Sequence, residues 1–115
     1  MTPGEKNVLL DKLSVAHHRI NYLELLCKEQ GNAQEAAQLA RAKAALRRTL
    51  DRLLDELYTE WTGQAAKLSA ALDASNANLQ EAIGRIERNI ATGKTIVKAL
   101  RYADDVIKLA AALMT

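Results

Sequence analysis

The stretch from residue 46 to residue 57, LRRTLDRLLDEL, sets leucine at positions 46, 50, 53 and 57, in alternating steps of four and three. That rhythm lines one face of an α-helix, and a face so lined needs a partner helix to keep it from water. The same steps recur upstream through Leu9, Leu13, Ala16, Ile20, Leu23 and Cys27. Downstream, an apolar stripe runs through Leu79, Ile83, Ile86 and Ile90, then rotates towards Ile96, Leu100, Ala103, Ile107, Ala110 and Met114. Composition agrees with the period. The 115 residues include 18 Leu and 21 Ala, with no Phe, one Trp and three Tyr, a mixture rich in helix formers and poor in the side chains that strands favour.

Punctuation along the chain sets the expected helix ends. Pro3 and Gly4 suit a first helical turn, and Gly31 is placed to stop that helix in the left-handed conformation. Asn32, with Glu35 three residues on, has the spacing of a capping box for the next helix. From there Leu39, Leu46, Leu50, Leu53, Leu57, Trp61, Leu68 and Leu72 share one direction on a helical wheel, so this second helix is expected to continue through Gly63. Its end is expected in the cluster Asp73, Ser75, Asn76 and Asn78, where Asn78 and Glu81 repeat the capping spacing. Thr62-Gly63 is the alternative break, and Thr92-Gly93 marks a kink or a fourth-helix boundary. The predicted fold is a single all-α domain over residues 1–115: an antiparallel bundle of three long helices, at about 5–30, 33–73 and 78–113, with coiled-coil-like packing and a four-helix version as alternative.

Residue types that carry chemistry are sparse. His17 and His18 are adjacent and point apart on a helix, so they do not grip one metal together. Gly93-Lys94-Thr95 matches only the tail of a phosphate-binding loop, since Arg88 stands where its first glycine belongs. Cys27 lies on the first seam, where a thiol packs as a small apolar group, and as the single cysteine it has no internal disulfide partner. The acidic groups Asp55, Glu56, Glu60 and Asp104-Asp105 read as solvated faces. No catalytic, cofactor or metal site is expected, and no small-molecule substrate.

Net charge is +2, too small an imbalance to argue for nucleic acid. The densest basic stretch, Arg41, Lys43, Arg47, Arg48 and Arg52, lacks interleaved aromatics and precedes an acidic run. Two such segments laid antiparallel would set basic half against acidic half. The run Val106 to Met114, behind Lys94, Lys98 and Arg101, has some character of a membrane-surface helix but no aromatic anchor beyond Tyr102. The first residues lack a secretory pattern and no apolar run is long enough to span a bilayer, so a cytoplasmic location is expected, leaving open a signal-peptide-independent export route.

Trp61-Thr62-Gly63, between two helical stretches and with Tyr102 downstream, resembles the family of small secreted helical hairpins named for the Trp-x-Gly tripeptide. That resemblance implies a hairpin turning at Gly63 and export by a specialised secretion system. The chain departs from the family's pattern in Val106, where an acid belongs, and in the extra helix before the hairpin. Taken together, the sequence predicts a non-catalytic helical scaffold or adaptor that associates with itself or with a helical protein partner. Leu46, Leu50, Leu53, Leu57 and Trp61 are the expected contact stripe, with Leu57 and Trp61 as anchors and the internal core as the alternative place for some of the five.

Overall fold

In a computed structural model, which describes residues 1–114, four helices pack against one another: α1 (Pro3–Glu29), α2 (Ala33–Asp55), α3 (Ala65–Glu87) and α4 (Thr92–Ala112). The protein is 82% helical and has no strand among the described residues. Thr115, the last residue of the expected domain, lies outside them. α1 packs against α2 and α3, and α4 packs against the same two helices and touches α1 across the diagonal. α2 and α3, although consecutive, do not meet among the described residues. Cross-links between Lys12 and Asp73 and between Tyr22 and Glu87 show that α1 and α3 run parallel, while Lys43 of α2 meets Asn21 and Lys6 of α1 reaches Leu57, as antiparallel neighbours do. The chain therefore runs up, down, up, down, and residues 56–64 cross one end of the bundle from corner to corner.

The bundle has four helices, the alternative read from the sequence, because the favoured long second helix breaks at residues 56–64, which include the alternative Thr62-Gly63 break, and the last helical stretch breaks at residues 88–91. The expected helix of residues 33–73 would extend about 60 Å at 1.5 Å per residue, against about 40 Å for α1, so a third of its apolar stripe would overhang the bundle. The chain instead breaks after Asp55. Trp61 turns in to seal the base of the core, and Gly63 passes so close to the end of α4 that its N–H donates to the Leu113 carbonyl at 3.1 Å. The second break, at residues 88–91, uses Asn89 and Ala91 at positive φ, just before the Thr92-Gly93 position read from the sequence. Because Glu56 and Glu60 fall in the crossover, α2 has no acidic half to pair with a basic one.

Residues 73–78, expected to be a boundary, lie inside α3. Their polar side chains bridge to α1 instead of capping. Asp73 pairs with Lys12 at 2.9 Å, Asn76 Nδ2 donates to the Lys12 carbonyl at 3.0 Å, and Arg19 donates to the Asn76 carbonyl at 2.8 Å. The α1–α2 turn matches expectation in Gly31, whose φ is 77°, though Asn32 makes no side-chain cap; the capping box occurs at Thr2 and Glu5. The single core joins Leu9, Leu13, Ile20 and Leu23 of α1 to Leu39 and Leu46 of α2, Leu72, Leu79 and Ile86 of α3, and Ile96, Val106 and Ala110 of α4.

A Cβ on Gly63 would stand 2.7 Å from Leu68 Cδ1 and 2.8 Å from the Ala112 carbonyl oxygen. Gly63→Ala is therefore expected to cost about 1–3 kcal/mol through overpacking. Gly84→Ala, in mid-helix with nothing nearer than 3.7 Å, is expected to gain about 0.5–1 kcal/mol. Urea unfolding followed by Trp61 fluorescence separates the two.

Candidate functional site

The five residues expected to form a contact stripe are turned inward. Leu46, Leu50, Leu53 and Trp61 are buried in the chain's own core, and Leu57 is half-buried against it. Trp61 is 1% exposed and works as the plug of the base. Its Nε1 donates to the Glu56 carbonyl at 3.0 Å, and Lys6 Nζ lies 5.2 Å from the ring centroid. Lys6, itself buried, donates to the carbonyls of Leu57 (2.8 Å) and Thr59 (2.6 Å), so the ammonium satisfies crossover carbonyls that lie beyond the end of α2. The Trp-Thr-Gly tripeptide thus sits in a diagonal crossover between helices that do not touch, a different geometry from a hairpin turn.

With that stripe internal, apolar surface is left on the outer side of α1. Val8, Val15, Tyr22 and Leu25 are each between 41% and 48% exposed. Val8, Val15 and Tyr22 are seven residues apart, and Asp11, His18 and Leu25 fill the intermediate places in steps of three and four. This is a second seam on a helix whose first seam, Leu9 to Cys27, faces the core. It was readable in the sequence, as the heptad of apolar residues that remains once the leucine seam is assigned. Exposed Ala66, Ala70 and Ala77 of α3 border the same side, and the cross-links from Lys12, Arg19 and Tyr22 hold α1 against α3 beneath it.

The basic stretch of α2 is divided. Lys43 turns inward to Glu24 (2.8 Å) and Arg47 pairs with Asp51 (3.3 Å), whereas Arg41, Arg48 and Arg52 are exposed. His17 and His18 stand edge to face with centroids 6.3 Å apart; burial first, then the charges of Arg47, His18 and Lys43, pushes the His17 imidazolium down. Burial pushes the Cys27 thiol up, the reverse of activation. Thr95 is buried with its hydroxyl donating to the Ile90 carbonyl at 3.3 Å, so it is turned away from any phosphate at Gly93-Lys94. No helix among the described residues is long and apolar enough to cross a membrane. No family model, no curated protein and no solved structure matches the chain.

Glu24, also buried, forms ion pairs of 2.8 Å with Lys28 and with Lys43, and the two ammonium groups hold its carboxyl below the ordinary 4.5 against the effect of burial. A carboxyl depressed in the folded state stabilises above pH 4.5, and that contribution is lost as pH falls below it. Glu24→Gln should flatten the acid limb of a stability-against-pH curve while lowering stability at neutral pH. Trp61→Ala should cost about 3–5 kcal/mol, and Lys6→Ala about 1–3 kcal/mol, in thermal unfolding followed by circular dichroism.

Proposed function

We propose that the protein is a non-catalytic helical scaffold or adaptor that acts by helix-to-helix association, with the outer face of α1 as its self-association surface. The observation that carries this reading is the exposed heptad seam of Val8, Val15, Tyr22 and Leu25, outside a core already complete without it. Such a seam gains by burial against another helix at roughly 25 cal/mol per Å² of apolar surface.

A second copy related by a two-fold axis suits the charges of this face. Parallel pairing would stack Asp11 on Asp11 and Glu29 on Glu29. Antiparallel pairing sets Val8 against Leu25 and Val15 beside His18, and brings Glu29 near Gly4, where the partially positive start of α1 favours a carboxylate. The nearest lysine and arginine, Lys12 and Arg19, are engaged by α3.

Sedimentation equilibrium over a concentration series is expected to show a monomer–dimer equilibrium. Val15→Glu together with Leu25→Glu should shift it to monomer at least tenfold in dissociation constant, with helicity unchanged, because interface centres carry most of the energy. Val97→Glu, on α4, should leave it alone. A wild-type chain that stays monomeric at every concentration rejects this reading.

A further inference from the structure

Positive charge is unevenly divided between the two sides of the bundle. α2 carries five Lys and Arg against three Asp and Glu, and α4 carries four against two. On the other side, α1 carries four against four and α3 two against three. Pairing does not remove the excess. Arg41, Arg48 and Arg52 are exposed and make no hydrogen bond or ion pair among the described residues, while the cations of α1 are drawn into contacts with α3, Glu24 and the base. Like charges held on one face repel, and an anionic partner relieves that repulsion.

Between α2 and α4 runs an open groove. Its floor is apolar, made by half-buried Ala42, Ala45, Leu100 and Ile107, and Arg41 and Arg101 stand on opposite rims. Asp104 also borders it, with Lys108 at 3.6 Å. Val97, 66% exposed, lies on the outward side of α4 and extends the apolar surface. Arg41 and Arg48 are two turns apart, about 10.5 Å along α2, and Arg52 lies about 6 Å further.

We propose that this groove binds an acidic amphipathic helix supplied by another protein. Two parallel neighbouring helices offer a furrow into which the ridge of a third helix fits, and the floor needs an apolar stripe to cover it. Carboxylates repeating at seven- and four-residue intervals along that helix meet Arg41, Arg48 and Arg52 in register. A second copy's α1 does not fit this pattern, because its outward acids Asp11 and Glu29 are five turns apart. Duplex DNA would leave the apolar floor uncovered, and α2 has no aromatic on which a single strand stacks while Tyr102 of α4 lies on the α3 side. For a lipid surface the apolar residues are recessed between charged ridges instead of projecting. The groove lies on the side of the bundle away from the α1/α3 face, so its occupancy is independent of self-association.

The test uses a fluorescein-labelled peptide of about three heptads, with leucine in alternating four- and three-residue steps and flanking glutamates at the intervals of the arginines, titrated by anisotropy against the full chain. Saturable binding of one peptide per chain is expected. It should weaken about tenfold or more in the triple variant Arg41→Glu, Arg48→Glu, Arg52→Glu, and about as much when the peptide's glutamates become glutamine. Ala45→Gln fills the floor without touching a charge and should weaken binding at least fivefold. Because these positions are on the surface, helicity, Trp61 fluorescence and oligomeric state should match wild type. No binding, binding indifferent to Ala45→Gln, or tighter binding to a short DNA duplex or to phosphatidylserine vesicles that the arginine variant abolishes, each overturns the proposal.

Discussion

An apolar stripe along a helix can be covered only over the length of its neighbours, and that constraint decides the architecture of this chain. Leucines in phase from 46 to 72 specify a direction on the helix surface but set no limit on its length. The limit comes from α1, whose 27 residues are the longest cover available. Breaking the long pattern at residues 56–64 lets both of its halves bury their leucines in one core, at the cost of helical hydrogen bonds at the break. Trp61 and Lys6 offset that cost together: the indole fills the base of the core, and the ammonium beside it takes up the carbonyls of Leu57 and Thr59. Gly63 is the residue that lets the crossover approach the end of α4.

Much of this was legible in the order of residues, and what was not has identifiable causes. The helical class, the stop at Gly31 and the inward seam of α1 follow from local chemistry, since period and left-handed propensity act within a few residues. Local turn chemistry offered Thr62-Gly63 only as the alternative to a boundary at residues 73–78, and the choice between them answers to the length of another helix, which no local pattern encodes. Ser75, Asn76 and Asn78 misled for a related reason. Short polar side chains cap helices when water surrounds them, but beside α1 two of them are buried inside α3, and Asn76 holds the two helices together. The leucine stripe of residues 46–57, with Trp61, shows in its period that it is to be buried, but the period does not say whether another chain or this one covers it; here the chain's own core does. The seam of Val8, Val15, Tyr22 and Leu25 was present in the letters, masked by the stronger leucine repeat next to it.

The surface is divided by the same arrangement that builds the core. Because α1 and α3 lie side by side, the moderately apolar face of α1 is flanked by the small residues of α3, and one ion pair with several hydrogen bonds holds the two rods together. α2 and α4 lie side by side opposite, and the excess of Lys and Arg on each adds to that on the other. The proposed adaptor role calls for two surfaces that do not compete, and the two sides of this bundle differ in charge and in exposed apolar area.

The uninterrupted phase from Leu46 to Leu72 also means that the bent crossover and a straight rod satisfy the same pattern. Were the indole plug withdrawn, α1 with α2 and α3 with α4 would remain two hairpins joined by a segment ready to become continuous helix. Two chains opened in this way would rebuild the leucine contacts of both cores by trading hairpins, but without the buried indole and the Lys6 and Gly63 bonds that close the base. What the plug guards against is therefore exchange as much as unfolding: it keeps each chain folded upon itself.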